Sequence, residues 1–207
     1  MKQFLCFGLA YLLWGSMAVH ASENHANVEA LDAFSDDEPL GAHKERQLAT
    51  SCNPSRTIVS ENFENGSLAG WTNGHLAHSP RFSKFLGRYG ADNSGPGKDP
   101  FKVYRNIPRD ADHVVLEVDF YEIDNWNGNT QKDYACIVIN DERTDLGRFD
   151  ENVNENGRSA TRPRSGLSYR LVSRARPRQI GFSPSKDQIH RVFVTIPRGY
   201  YKNTGTF

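Results

Sequence analysis

The sequence predicts an all-β protein, an antiparallel β-sandwich, from three observations. Apolar residues alternate with polar ones over short stretches, turn-forming Gly, Asn, Asp and Pro separate these stretches, and no apolar pattern of helical period follows the N-terminal segment. The clearest alternation places Val114, Leu116, Val118 and Phe120 on one face of a strand. One apolar and one mixed face suit a sheet with a single buried side, so we expect two packed sheets.

The other expected strands follow in chain order, and each is bounded by turn residues. They are residues 57–59, 101–104, 134–139, 167–172 and 188–196. Residues 141–177 are polar and rich in arginine, and we interpret them as a long insertion that holds only the short strand at 167–172.

The N-terminus has the pattern of a secretory signal peptide over residues 1–21. Lys2 is followed by an apolar run over residues 4–14 and by the small-x-small exit Val19-His20-Ala21. The alternative is a membrane anchor, but the run is shorter than the roughly 20 residues that span a bilayer. No later segment is apolar enough to cross a membrane. We therefore predict cleavage near Ala21 and a secreted, extracellular protein.

Residues 22–51 are acidic and poor in aromatic residues, with no sustained apolar period. Such a composition cannot bury enough surface to offset the entropy lost on ordering. We predict a disordered arm or propeptide, followed by one domain over residues 52–207. The triplet Arg46-Gln47-Leu48 resembles the Arg-x-Leu processing signal of some algal cell-wall precursors, and it marks an expected cleavage position.

Charge and cysteine content restrict the partners and the compartment. The formal net charge is zero, so the total charge gives no sign of a nucleic-acid partner. After leader removal Cys52 and Cys136 remain, and an even pair in a secreted chain can form one disulfide; the alternative is two separate thiols. Asn65, in Asn-Gly-Ser, is the one N-glycosylation acceptor in the chain.

Four motifs occur in a fixed order in the predicted domain: ENFENG at 61–66, GWTNG at 70–74, FLGRYG at 85–90 and VDFYEIDNW at 118–126. Together they resemble a jelly-roll module of the concanavalin/laminin-G type, found in large extracellular adhesive proteins of bacteria and of algae and their relatives. The resemblance implies a jelly-roll sandwich that binds glycan or extracellular matrix, holds structural calcium and is not an enzyme. It also implies further strands after the one at 188–196, so we expect a C-terminally truncated domain.

The candidate metal ligands are four carboxylates near one strand end, and the candidate glycan-binding residues lie beside them. Two carboxylates on one face raise each other's pKa unless a cation intervenes, and calcium takes six to eight oxygen ligands. The alternative is that these carboxylates face water or pair with arginines. For the aromatic side chains, the alternative to stacking on sugar rings is packing in the core or at its rim. The expected calcium ligands are Asp119, Glu122, Asp124 and Asp133, and the expected glycan contacts are Trp126, which we expect to be exposed, Tyr121 and Asn125.

Two other functions are weighed against the non-catalytic module. Glu122-Ile123-Asp124 matches the start of the Glu-x-Asp-x-Glu signature of jelly-roll β-glucanases, but Trp126 stands where the acid/base glutamate belongs. A retaining glycosidase needs that second carboxylate about 5 Å from the first, so glycoside hydrolysis is disfavoured. A structural wall protein that binds polyanions through the arginine-rich loop is the other alternative. The histidines show no metal-ligand spacing, and we expect none of them to bind a metal.

Overall fold

The computed structural model describes residues 5–7, 11–22, 56–79, 83–89, 99–123, 126, 134–173 and 186–207. In these ranges the chain forms thirteen strands and one short 3₁₀ turn, Arg198–Tyr200, and no α-helix. The all-β prediction is therefore confirmed. The strands are β1 Leu5–Phe7, β2 Tyr11–Ser22, β3 Arg56–Glu61, β4 Trp71–Thr72, β5 Leu76–His78, β6 Lys84–Tyr89, β7 Phe101–Lys102, β8 His113–Ile123, β9 Tyr134–Ile139, β10 Glu142–Arg148, β11 Ser159–Thr161, β12 Ser168–Ser173 and β13 Gln188–Pro197.

The strands form three antiparallel sheets. The largest has eight strands in the order β11-β12-β13-β8-β2-β6-β5, with β3 also paired to β2. A second sheet has the order β1-β9-β10, and β4 pairs with β7 in a third. Across the described part of the chain, no helix is long and apolar enough to cross a membrane.

The centre of the large sheet follows from the alternation in β8 and β13. The two strands pair with Val118 opposite Val192 and Leu116 opposite Val194, so their apolar sets meet on one face. All four of these side chains are buried. A shift of one residue would turn both sets to the other face, so burial of this side fixes the register.

One hydrophobic core joins the two larger sheets. Ile137 and Ile139 of β9 and Leu146 of β10 belong to the same buried cluster as the apolar face of β8 and β13. Two sheets that enclose a shared core agree with the expected sandwich layering.

The predicted insertion over residues 141–177 contains more regular structure than expected. Its described residues, 141–173, hold three strands, β10, β11 and β12, where the sequence indicated one. The apolar signal is weak because β10 buries only Thr144 and Leu146, and all of β11 is exposed. The pairing of β11 with β12 and of β12 with β13 extends the large sheet here.

The described residues of the predicted leader, 5–7 and 11–21, lie in strands of the fold. Residues 11–22 form β2, which pairs with β8 on one side and with β3 and β6 on the other. Val19 and Ala21 are buried in the core. Removal of the leader stays a prediction, and the predicted arm beyond Ser22 lies outside the described residues.

Candidate metal centre

The site begins with two polar residues on the core face of the large sheet. Glu122 is near the end of β8 and His190 near the start of β13, in positions that continue the buried alternation of both strands. The register places Gln188 opposite Glu122 and Phe120 opposite His190, so the two polar residues are diagonal neighbours. Both side chains are fully buried.

His190 uses both of its ring nitrogens. Nε2 lies 2.9 Å from Glu122 Oε2, and Nδ1 lies 3.0 Å from Ser173 Oγ. Ser173 stands directly opposite His190 in the β12–β13 pair, which explains the second contact. A neutral imidazole with its proton on Nδ1 donates to Ser173 and leaves the Nε2 lone pair facing Glu122.

Aromatic rings surround the imidazole on the core side. The Phe120 ring stacks at 5.6 Å between centroids, and the Phe149 ring lies at 5.2 Å. Trp126 packs edge-on against both phenylalanines, at 5.6 Å from Phe120 and 6.0 Å from Phe149. These rings exclude water, so charges here interact strongly and are costly to leave unpaired.

The loop between β10 and β11, residues 149–158, supplies a third polar side chain. Glu155 is 4 % exposed, and its Oε1 accepts a hydrogen bond from the Asp150 backbone N–H at 3.2 Å. The Gln188 side-chain amide fastens the loop to β13 by donating to the backbone oxygens of Asp150 and Val153. The loop therefore holds Glu155 over the end of the sheet.

Glu122, Glu155 and His190 form one group of donor atoms. One ligand atom from each lies within 4.8 Å of the other two. Glu122 Oε1 and Glu155 Oε2 are buried and have no hydrogen-bond partner among the described residues. An unsatisfied buried polar atom costs about 1–3 kcal/mol, and more if it is charged, so two of them on residues grouped with one imidazole suggest a bound cation.

The electrostatics of the site favour either uncharged Glu122 and His190 side chains or a bound cation. Burial, and to a smaller extent the carboxylates of Glu155, Asp150, Glu151 and Asp187, together raise the pKa of Glu122 to about 9. Burial also raises the pKa of Glu155.

The pKa of the His190 imidazole is shifted in the opposite direction. Burial, and to a smaller extent the nearby Arg158 guanidinium, together lower the pKa of His190 to about 3. With a protonated Glu122 that donates to Nε2, the pair is neutral, and a divalent cation could replace that proton.

The donor set indicates which metals fit. Calcium prefers oxygen ligands, whereas two carboxylates and one imidazole nitrogen suit zinc, manganese or iron. The contact from Nδ1 to Ser173 matches the way metal-binding histidines are oriented by a hydrogen bond from their other nitrogen.

Of the two predicted calcium ligands that the structure describes, Asp119 and Glu122, only Glu122 belongs to this group. Asp119 faces the opposite side of β8, where Arg191 donates to both of its carboxylate oxygens at 2.8 and 3.0 Å. The interpretation of Asp119 and Glu122 as one cluster is wrong, because residues three apart on a strand point to opposite faces. Asp124 and Asp133 lie outside the described residues.

The two predicted glycan contacts that the structure describes, Trp126 and Tyr121, are buried. Trp126 is 0 % exposed, and its indole N–H donates to the Ile123 backbone oxygen at 3.1 Å. The expectation that Trp126 is exposed is therefore wrong, because the aromatic residues of the core cover its faces. Tyr121 is 5 % exposed, and Asn125 lies outside the described residues.

The two predicted modifications stay predictions. Asn65 is exposed in a turn in which its Oδ1 accepts the Ser67 backbone N–H at 2.9 Å. Cys136 is buried in β9, and Cys52 lies outside the described residues, so the geometry of the predicted disulfide is not defined.

Sequence reasoning missed His190, Glu155 and Ser173. A usable signal existed for His190, which falls on the same face as Val192 and Val194 and so had to be buried. Glu155 lies in a polar stretch without periodicity and carries no such signal.

Comparison with known proteins identifies no relative: no protein-family model, curated protein or solved structure matches this chain.

Proposed function

We propose that this protein is a non-catalytic extracellular β-sandwich module whose buried Glu122, Glu155 and His190 hold a divalent transition-metal ion. The observation that carries the proposal is the pair of unpartnered carboxylate oxygens, Glu122 Oε1 and Glu155 Oε2, in one buried group with an imidazole. A zinc-type ion in place of calcium follows from the nitrogen ligand.

The burial of the ligands supports a structural role for the ion. Structural zinc sites take four ligands from protein and are closed to solvent, whereas catalytic sites have three protein ligands and one open position. The three ligands here match the second count, so the structural role rests on their burial. Glu122 and His190 are fully buried, and Glu155 is nearly so. An ion held by all three would join the β10–β11 loop to β8 and β13 and so stabilise that end of the sheet.

The jelly-roll topology and the binding of glycan or extracellular matrix remain part of the proposal, supported by the resemblance of the four motifs. Because Trp126 and Tyr121 are buried, the binding surface would lie elsewhere. Exposed Arg162, Arg164 and Arg170 on and beside β11 and β12 suit an acidic glycan. Glycoside hydrolysis is not favoured, because the nucleophile position, Glu122, is hydrogen-bonded to a buried histidine.

The test is thermal unfolding and metal content of the purified chain, in EDTA and with added zinc or calcium. Zinc at one hundred times its dissociation constant is expected to stabilise the fold by about 2.7 kcal/mol, or about 5–10 °C. Calcium is expected to give a much smaller shift. Glu155→Gln should remove the zinc effect because it takes away one charged ligand.

Glu117→Gln is the matched control, since Glu117 is on the opposite face of β8 and forms an ion pair with Arg191. The control should respond to zinc like the unchanged protein. Equal stabilisation of the Glu155→Gln variant, or no zinc response in the unchanged protein, would contradict the proposed site.

A further inference from the structure

A polar cleft lies near one end of the large sheet. It is lined by residues 105–107 and Arg109, which precede β8, and by residues 204–206, which follow the 3₁₀ turn, and its volume is about 310 Å³. These segments adjoin the end of the sheet at which His113 pairs with Pro197. The metal ligands of β8 and β13 lie at the other end of these strands, and none of the residues that line the cleft belongs to the predicted leader. The cleft is therefore a separate feature of the predicted domain.

A β-bulge shapes the first wall of the cleft. Tyr104 and Phe207 exchange two backbone hydrogen bonds, at 3.0 and 3.2 Å, as a hydrogen-bonded antiparallel pair does. In a regular ladder the next such pair would join Asn106 to Gly205, but it is the Ile107 N–H that donates to the Gly205 oxygen. Asn106 accommodates the extra residue with a φ of 60°, in the left-handed region. Because a bulge re-aims the side chains of the bulged strand, Asn106 leaves the ladder and lines the cleft.

Gly205 brings the second wall close to the Arg109 side chain. Its φ is 64°, and a Cβ at this position would lie 3.2 Å from the Ile107 backbone oxygen and 3.5 Å from Arg109 Nε. A glycine therefore suits both the backbone conformation and the close approach of Arg109 to the 204–206 turn. The Arg109 backbone oxygen accepts a hydrogen bond from Arg198 Nε at 2.7 Å, which holds this wall in place.

The cleft has positive charge and unused hydrogen-bond donors. Among the described residues, none forms a hydrogen bond or an ion pair with the side chain of Arg105, Asn106 or Arg109. The acidic residues that follow in the chain, Asp110 and Asp112, do not line the cleft. A guanidinium offers a planar fork of N–H donors that matches the oxygens of a carboxylate or a sulfate group. Two such groups at one concave surface favour an anionic ligand.

The size and the polar lining of the cleft indicate a sugar that carries the anionic group. Ligand pockets range from roughly 300 to 1,000 Å³, so the cleft suits a ligand of one sugar unit, and an inorganic oxyanion alone would leave most of it empty. The Asn106 side chain offers two N–H donors and one acceptor oxygen, the partners that sugar hydroxyl groups need. Ile107 is the one large apolar residue in the lining.

We propose that the cleft between residues 105–109 and 204–206 binds one saccharide unit that carries a carboxylate or sulfate group. Arg105 and Arg109 contact the anionic group, and Asn106 contacts the hydroxyl groups of the ring. The inference rests on the proposed binding of an acidic glycan and gives that function a defined subsite. It does not depend on the metal centre.

The subsite differs in place from the exposed arginines of β11 and β12, which form an open surface. It also stays clear in a longer chain. Because Tyr104 and Phe207 pair antiparallel, residues that follow Phe207 would run past Val103 and Lys102, away from Arg109.

The test is titration of the purified chain with glucuronate and with glucose-6-sulfate, followed by NMR of the backbone amides. Glucose is the control for the ring without the charge, and inorganic sulfate is the control for the charge without the ring. We expect both acidic sugars to shift the amides of residues 105–107 and 204–206. Glucose and inorganic sulfate should each bind at least about tenfold more weakly.

Arg105→Gln and Arg109→Gln each remove one guanidinium, and both residues are exposed, so the variants should fold like the unchanged protein. Each should weaken the binding of the acidic sugars about ten- to a hundredfold, because a hydrogen bond between charged groups is lost. Arg164→Gln is the matched control, since Arg164 is exposed in the turn between β11 and β12, outside the cleft. It should bind both sugars like the unchanged protein.

Equal affinity for glucose and glucuronate would overturn the role of the arginines, and equal affinity for inorganic sulfate and glucose-6-sulfate would overturn the saccharide ligand. Retention of the unchanged protein on immobilised polygalacturonate tests the proposed glycan binding separately. Retention that Arg164→Gln abolishes, without amide shifts at the cleft, would overturn the subsite and leave the proposed function intact. No retention and no amide shifts would contradict both.

Discussion

Replacing Trp126 by alanine is expected to lower the free energy of unfolding by about 3–5 kcal/mol. The indole is 0 % exposed, packs edge-on against Phe120 and Phe149, and donates its N–H to the Ile123 backbone oxygen. Alanine would leave a cavity beside these rings and an unsatisfied carbonyl oxygen. Urea unfolding followed by circular dichroism measures the change. The slope of the unfolding free energy against urea concentration should be the same in both proteins.

The matched comparison is Trp71→Ala. Trp71 is half-buried at the edge of the core, where its indole N–H donates to Glu61. Trp71→Ala should lower the free energy of unfolding clearly less than Trp126→Ala, because Trp71 buries less apolar surface. If Trp126 were instead an exposed platform for sugar rings, its replacement would change stability by less than about 0.5 kcal/mol. That result would contradict the structure at this position.

Among the strands that the sequence predicted, β8 and β13 show the most regular alternation of apolar and polar residues. Because successive side chains of a strand point to opposite faces, this alternation places their apolar residues on one side of the sheet. The same rule, applied beyond Phe120 and before Val192, places Glu122 and His190 on the core face. The sequence analysis included Glu122 among the metal ligands, but it did not extend the alternation of β13 back to His190, so that ligand was missed.

Glu155 could not be found in this way. It is 33 positions beyond Glu122, in a loop whose course is set by contacts that are distant in sequence, including the hydrogen bonds from Gln188. The burial of Trp126 depends likewise on Phe149, from the end of another strand. Local patterns predict which face a strand residue occupies, but not which loop covers it.

The electrostatics of the site connect stability with pH. In EDTA, the metal-free protein is expected to be most stable between about pH 4.5 and 6.5, and less stable on both sides. The folded state keeps a proton on Glu122, whose pKa is raised from 4.5 to about 9, so stability falls as pH rises through that range. His190 stays neutral when folded, with its pKa lowered from 6.5 to about 3, so stability falls as pH drops below 6.5.

The effects of Glu122 and His190 on stability cancel between about pH 4.5 and 6.5. Above this range Glu122 acts alone, and below it His190 acts alone. Above pH 6.5 the loss from Glu122 should approach about 1.4 kcal/mol per pH unit, the value for one proton. Glu155 adds to this loss because burial raises its pKa too. The other charged groups near the site are Asp150, Glu151, Asp187 and Arg158.

Urea unfolding in EDTA from pH 4 to 9 measures this profile, and Glu122→Gln is the variant that tests it. An amide cannot lose the proton, so the decline above pH 6.5 should be much smaller in the variant than in the unchanged protein. Stability that rises steadily from pH 6.5 to 9 in EDTA would contradict the protonated state of Glu122. Added zinc should reverse the trend in the unchanged protein, because its ligands bind metal only when deprotonated and the stabilisation therefore grows with pH. A decline in EDTA and a rise with zinc in the same protein would tie the buried proton and the metal to one site.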